Sequence, residues 1–356
     1  MFKILDLYIG RTIVATTTLC LFTLVGLSGI IKYVEQLRSV GDGTYTLGKA
    51  LMFVLLSMPR DIEMFFPMAV LLGALIGLGM LASSSELVVM QAAGFSKLDI
   101  GTSVLKTAVP LMLIVMALGQ WGAPEAQKSA RELRSMAKSG GSVISVQRGV
   151  WAKDGNDYIY IARTSEDGAL SGITIWKFDK NNHLQNTVFA PSGNYIGNNE
   201  WRLNDVTITQ MSDKKITETK QPHVDWKASL TPDKLAVVTM KPEELSLSGI
   251  YDYVSYLKDS KQDASRYELA FWRKALQPVS VGVMMLLALS FVFGPLRSVT
   301  MGARVLSGVI FGFAFYISNE LFGPLSLVYQ LPPVIGASAP SIVFVLITLY
   351  LLRRKL

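Results

Sequence analysis

Four basic residues invite chemistry, Lys32, Arg60, Arg131 and Arg134, because each falls at the edge of a long apolar stretch. Lys32 lies just past the end of the first stretch, with Glu35 behind it. Arg60 precedes the second, beside Asp61 and Glu63, and Arg131 and Arg134 follow the third by about two helical turns. Arg131 and Arg134 are three apart and share a helix face. A basic ring of this kind at headgroup level suits a phosphorylated lipid, because Arg and Lys donate charge-assisted hydrogen bonds to phosphate oxygens. The competing reading is local neutralisation, Lys32 with Glu35 and Arg60 with Asp61 or Glu63, with the long side chains snorkelling to the interface. The residues alone leave both open.

Glu86 is the second candidate. The run Ser83-Ser84-Ser85-Glu86-Leu87-Val88-Val89-Met90-Gln91-Ala92-Ala93-Gly94 carries helix boundary signals at both ends. Ser83 and Glu86 have the spacing of a capping box, and Gly94 suits a C′ position, so a short helix over 83–94 is predicted. Leu87, Val88 and Met90 to Gln91 then offer an apolar surface beside one carboxylate. Either Glu86 only caps its own helix, or the helix docks into a groove on a cytoplasmic partner.

Other chemistry fails on its own terms. Gly43 to Ala50 has the glycine and lysine spacing of a P-loop, but Ala50 replaces the hydroxyl that ligates magnesium, and the segment follows an apolar helix where a strand is needed. It reads as a turn. No nucleophile elbow or zinc-binding His pair is present, and His183 and His223 fall in a β-rich stretch. The single cysteine, Cys20, lies in an apolar run, so neither an intrachain disulfide nor a Cys metal site is available. No enzyme activity and no cofactor are expected in this chain. Glu320, roughly 24 Å along its apolar window, is either a proton site or an interfacial anchor, the latter favoured.

These residues must be positioned by membrane helices. Half of the 356 residues are hydrophobic and 17% are charged, against about a quarter charged in soluble domains. Of the Asp, Glu, Lys and Arg residues, 37 fall between positions 128 and 272, so a polar insert separates two apolar regions. Six windows are long enough to cross a hydrocarbon core: Thr12 to Ile31, Met64 to Ser85, Thr107 to Pro124, Ala275 to Leu296, Val305 to Pro324 and Val334 to Leu352. The first has no small-residue cleavage pattern and is expected to stay as a helix. The net charge of +7 points to cytoplasmic loops and not to nucleic acid, since short loops retain Lys and Arg on the cytoplasmic side. Lys3, Arg11, Lys97, Lys106, Arg297, Arg304, Arg353, Arg354 and Lys355 share one face, which puts both termini in the cytoplasm and the insert outside it. In the insert the period changes to two, in Tyr158 to Ile161, Ile173 to Phe178 and Trp201 to Met211, with Asp-Gly, Asn-Asn and Gly-Asn turns between. The fold class is an α-helical membrane protein with six transmembrane helices and an inserted all-β domain, an antiparallel sandwich or open roll. A helical return from Pro242 to about Lys258 leads back to the membrane.

Several stretches resemble the LptF/LptG family, permeases of the lipopolysaccharide exporter of Gram-negative bacteria. They are Leu27 to Lys32, Phe65-Phe66-Pro67-Met68-Ala69, Ser85 to Ala92, Trp151 to Asn156, Leu230 to Leu235 and Phe293 to Ser298, and they span nearly the whole chain in order. The resemblance implies residues 1–135 as helices one to three with a coupling helix at 83–94, 136–262 as a periplasmic β-jellyroll, and 263–356 as helices four to six. It implies an inner-membrane ABC transporter permease paired with LptF above an LptB ATPase dimer that binds ATP and magnesium. LptC, and through it the periplasmic LptA bridge, receive the lipid. Glu86 would engage the ATPase, and Lys32, Arg60, Phe65, Arg131 and Arg134 would contact lipopolysaccharide. This chain has Arg38-Ser39 where the family pattern has two lysines, which removes one positive contact. The implied cycle extracts the lipid from the outer leaflet into a cavity between two permeases, which ATP binding collapses. The alternatives are a proton-coupled secondary transporter using Glu320 and a periplasmic-sensing signalling protein.

Overall fold

The computed structural model describes residues 4–138, 149–164, 169–179, 183–212, 215–228, 230–232, 235, 241–260, 262–293 and 299–353. Lys3, Arg297, Arg354 and Lys355, used above for orientation, lie outside the described residues, as do 233–234 and 294–298 of the motif stretches.

Six helices are long and apolar enough to cross a membrane; the first, third, fifth and sixth outrun their predicted windows at both ends, and the second and fourth begin well before theirs. They are α1 (Ile4–Leu37), α2 (Leu47–Ser83), a compound helix of α4 (Lys97–Ala117), a π-helical turn (Leu118–Gly122) and α5 (Ala123–Lys138), then α7 (Ser265–Phe293), α8 (Met301–Val328) and α9 (Pro333–Arg353). Short α3 (Glu86–Ala92) joins α2 to α4, and α6 (Leu247–Asp259) precedes α7. Polar caps set several starts. Thr46 accepts from Lys49 N at the head of α2, and Ser96 with Asp99 forms a reciprocal capping box on α4. The P-loop-like segment is a turn, as its sequence suggests: Gly43 sits at φ +57, and Thr44 donates from both its amide and its hydroxyl to the Ala137 carbonyl at the end of α5. It closes one helix and opens another.

The inner members of the bundle are α2 and α7, whose apolar windows are mostly buried, whereas α1 and α8 turn most of their surface outward. Close approach of α1 to α2 rests on Gly73 and Gly77, four apart on one face. Thr16 Oγ1 donates to the Gly73 carbonyl at 2.7 Å, and a methyl group on Gly73 would stand 2.4 Å from Thr17 Cα.

Among the described residues the insert forms one six-stranded antiparallel sheet in sequential order: β1 (Val150–Asp154), β2 (Asp157–Thr164), β3 (Leu170–Phe178), β4 (Leu184–Gly197), β5 (Glu200–Ser212) and β6 (Lys215–Lys227). Of the turn signals, Asp167-Gly168 and Asn181-Asn182 lie outside the described residues, while those at 154–156 and 197–199 form turns. Gly155, at φ +61, opens the two-residue β1–β2 loop, while Asn198 and Asn199, both at positive φ, make the tight β4–β5 hairpin that Asn tolerates. One face of the sheet, with Ile159, Ile161, Ile173, Ile175 and Leu203, packs on Ile250, Tyr253 and Val254 of α6. Trp201 is fully buried there, its indole donating to the Leu230 carbonyl at 2.8 Å. The expected return is a 3₁₀ turn, Pro242–Glu244, followed by α6.

Gly73→Ala is expected to force α1 and α2 apart and cost about 1–3 kcal/mol, read as a lower unfolding temperature in detergent. Gly26→Ala is the control, because a methyl group there meets nothing within 4 Å; equal behaviour of the two variants would refute the close-packing account.

Candidate functional site

The predicted basic residues gather at the end of the bundle that bears the β domain, and none makes the local pair considered from sequence. Lys32 of α1 reaches across to Asp61 Oδ1 of α2 at 2.5 Å, and Ser28 Oγ donates to the other oxygen at 3.1 Å. Arg60 Nη1 of α2 donates to Glu244 Oε1 at 2.5 Å, and Arg131 of α5 engages Glu244 Oε2. The physical reason is burial. Asp61 and Glu244 are buried and must be countercharged, whereas Glu35 is exposed and is served by water. Arg60 cannot turn to Asp61, because adjacent helical residues do not face each other.

Arg134 rests over the Phe53 ring, 5.4 Å from its centroid, a cation–π contact that leaves its charge uncompensated by that partner. Phe65 is partly exposed on α2 beside buried Phe66. The position of Ser39 is informative: Lys138 Nζ donates to its hydroxyl at 2.8 Å and lies 3.2 Å from Asp42. An ammonium supplied from α5 therefore stands beside Ser39. Glu320 is exposed on α8 and takes no part in this layer.

Three residues of the layer were not singled out in the sequence. Glu244 joins two arginines from separate helices. Lys274 of α7 lies 3.2 Å from Glu63 and donates to the carbonyls of Gly119 and Leu245 at 3.2 and 2.8 Å. Gln120, inside the π-helical turn, accepts from Leu247 N at 3.0 Å and donates to Ser248 Oγ at 2.8 Å. The return segment 242–248 is thus tied to α2, α5, α7 and the π turn, a helix irregularity that commonly marks a working site. Exposure sorts the cations. The side chains of Lys32, Arg60 and Arg131 are 30%, 29% and 31% exposed, while Lys274 is only 13% exposed. The first three are accessible from outside.

At the opposite end, α3 forms over Glu86–Ala92, but its predicted capping box does not. Ser83 Oγ donates to the Met80 carbonyl at 2.8 Å, and Ser85, at φ +60, takes the N-cap position without a side-chain bond. Serines at a helix end readily back-bond to carbonyls three and four residues earlier, which continues α2 through Ser83. The far end is as expected: Gly94 lies at φ +94, with Gly94 N bonded to Gln91 O and Phe95 N to Met90 O, a Schellman arrangement. The apolar surface differs too. Leu87 and Met90 are buried in the bundle core, so Val88 and Val89 are the residues offered outward. Glu86 accepts from Tyr8 OH of α1 at 2.7 Å and from Ser84 Oγ at 2.8 Å. Those two hydrogen bonds, Tyr8's first, hold its carboxyl below the usual carboxylate range. It is ionised at neutral pH. Nearby, buried Asp6 of α1 binds Ser103 Oγ and Lys106 Nζ, the latter at 2.7 Å, fastening α1 to α4.

Comparison with known proteins gives one consistent result. Residues 7–354 match the family described as lipopolysaccharide export system permease LptF/LptG. The chain is 53% identical over 356 residues to the lipopolysaccharide export system permease protein LptG of Escherichia coli K12, covering 99% of both chains. It is 50% identical to the LptG protein of Haemophilus influenzae, covering all of this chain and 99% of that one. Similarity to the LptF protein of E. coli K12 is 26% over 164 residues, 46% of this chain and 44% of that protein.

Two outcomes follow from the geometry. Lys32→Met is expected to destabilise the bundle by on the order of 2 kcal/mol by leaving buried Asp61 without its cation, allowing for the exposure of Lys32. Adding Asp61→Asn is expected to recover most of that loss in thermal unfolding, and additive losses would deny the coupling. For Glu86, whose folded value is depressed, the contact is present above the unfolded carboxylate value and is lost as pH falls through the folded one. Carboxyl NMR of labelled glutamate is expected to show Glu86 titrating higher in Tyr8→Phe; an unmoved titration would remove Tyr8 as its partner.

Proposed function

The chain belongs to the LptF/LptG family of lipopolysaccharide export permeases, and we propose that its basic layer receives the lipid's phosphates while α3 receives the drive from an ATPase. The observation that carries the reading is the gathering of Lys32, Arg60 and Arg131, each about one third exposed, at one end of an apolar bundle. A lipopolysaccharide needs two surfaces at once, apolar walls for its acyl chains and donors for its phosphates. The outward side chains of α1, among them Phe22, Leu27, Ile30 and Ile31, supply an apolar surface on the same helix as Lys32. Arg134 and Phe65 extend the recognition surface along α5 and α2.

In this reading the β domain is periplasmic, a jellyroll element on the exit path, and both termini are cytoplasmic in the inner membrane. LptF is the second permease, and the outward apolar faces of α1 and α8 are compatible with acyl chains or with such a neighbour. An LptB dimer binds ATP and magnesium and docks on α3, where ionised Glu86 stands beside exposed Val88 and Val89. ATP binding closes the cavity between permeases and drives the lipid towards LptC and the LptA bridge. The chain's own part is to hold phosphate, exclude water from the acyl chains and pass on the movement of α3.

The test uses the complex purified from native membrane and reconstituted in vesicles. Arg134→Asp is expected to lower co-purified lipopolysaccharide by about tenfold, the equivalent of about 1.4 kcal/mol, with subunit assembly retained. Glu86→Ala is expected to keep the lipid and lose ATP-dependent release. Wild-type lipid content in the first variant would sink the phosphate-site reading, and ATP-independent release would sink the ATP-driven one.

A further inference from the structure

We propose that Glu244 is the resident counter-anion of the lipid-phosphate site, and that an arriving phosphate displaces it and so unfastens the return segment of the β domain. The inference rests on the phosphate-site reading above and adds a residue and a consequence to it. Glu244 is 3% exposed, and its two carboxylate oxygens are divided between guanidiniums of α2 and α5. While Glu244 holds Arg60 Nη1 and Arg131 Nη2, those two donors are not offered to a lipid phosphate.

Charge favours the exchange. Two guanidiniums share one carboxylate, so this triad keeps a net positive charge that a phosphate group, with more oxygens and up to two charges, compensates better. The forked donors of Arg fit either anion without rearranging the helices that carry them. Glu244 thus keeps the arginines together and poised when the lipid is absent, and occupies the position a phosphate takes when it is present.

Location gives the exchange its consequence. In the pair Lys32–Asp61 both partners belong to the bundle, so separating them moves nothing else. Glu244 belongs to the 3₁₀ turn between the β domain and α6. Its neighbours are held by single hydrogen bonds, Leu245 O accepting from the Lys274 ammonium, and Leu247 N and Ser248 bonded to the uncharged amide of Gln120. Loss of the two charged ties leaves the weaker ones to hold the segment. A ligand shifts a conformational equilibrium by its differential affinity for the two states, and direct competition for two arginines is such a difference. Loading would then be reported to the β domain before any movement begins at α3.

Spin labels at Trp121→Cys in the π turn and Asp252→Cys on α6, both exposed, with Cys20→Ser, would measure the distance across the clasp in the reconstituted complex. Phosphorylated lipid A is expected to lengthen and broaden it, whereas lipid A stripped of phosphate, or inorganic phosphate alone, leaves it unmoved. Glu244→Gln is expected to show the lengthened distribution without lipid and to bind phosphorylated lipid A tighter, on the order of threefold. An unmoved distance at saturating phosphorylated lipid, an equal response to inorganic phosphate, or weaker binding by Glu244→Gln would each overturn the proposal. Should Glu244→Gln fail to assemble, the labelled parent decides alone. Normal lipid binding by Arg60→Ala and Arg131→Ala would instead refute the underlying phosphate site.

Discussion

A buried carboxylate must be neutralised by a neighbouring cation, and that requirement organises both ends of this bundle. Asp61, Glu63 and Glu244 lie at the end bearing the β domain, Asp6 at the other, all buried. Each draws a cation from a different element: Lys32, Lys274, the pair Arg60 and Arg131, and Lys106. Taking a charge out of water is costly, and removing one partner of a buried pair typically costs about 3–5 kcal/mol. The apolar faces therefore bring the helices together without fixing their register, and the charges fix it. The bundle acquires two cross-braced ends around an apolar middle of α2 and α7.

The long helices carry those ends as single bodies. Tyr8 and Lys32 belong to one continuous helix, α1, and are separated by roughly 36 Å at 1.5 Å per residue. Tyr8 holds Glu86 at one end and Lys32 holds Asp61 at the other. A displacement of α3 thus acts on the same rod that bears part of the basic layer. The second rod, α2, joins Arg60 to Gly79, whose carbonyl accepts from buried Arg304 of α8 at 2.6 Å. The third span differs because it contains the π-helical turn, and it is there that the return segment is attached. Because α2 carries Pro67 between Arg60 and Gly79 and the third span carries the π turn, α1 is the one of the three connections without such a break.

Much of this was legible in the sequence, and what was not shares one cause. Helix number, the Asn198-Asn199 hairpin and the Gly94 terminus are set by residues within one turn of each other, so composition and spacing suffice. The basic rim was legible as a set of residues, because each lies at the end of an apolar window. Its pairing was not, since Arg60 and Glu244 are 184 positions apart and no local rule connects them. The same limit explains α3. Sequence spacing allowed a capping box from Ser83, but the body of α2 claimed that serine, and the bundle core claimed Leu87 and Met90. Tertiary contacts decided between locally acceptable alternatives.

Exposure within the charged layer separates what is permanent from what can be exchanged. Lys274 is the least exposed of its cations and binds Glu63 and two backbone carbonyls, so no ligand oxygen is needed to complete its hydrogen bonding and none can reach it easily. Lys32, Arg60 and Arg131 are more than twice as exposed and face carboxylates that a phosphate can imitate. The choice of side chain follows the same division. A lysine suits one buried carboxylate as a compact point charge, whereas two arginines can share one anion through their flat forks and later accept a larger one. One set of charges thus neutralises the buried carboxylates and, on the proposed reading, also holds donors ready for a phosphorylated lipid.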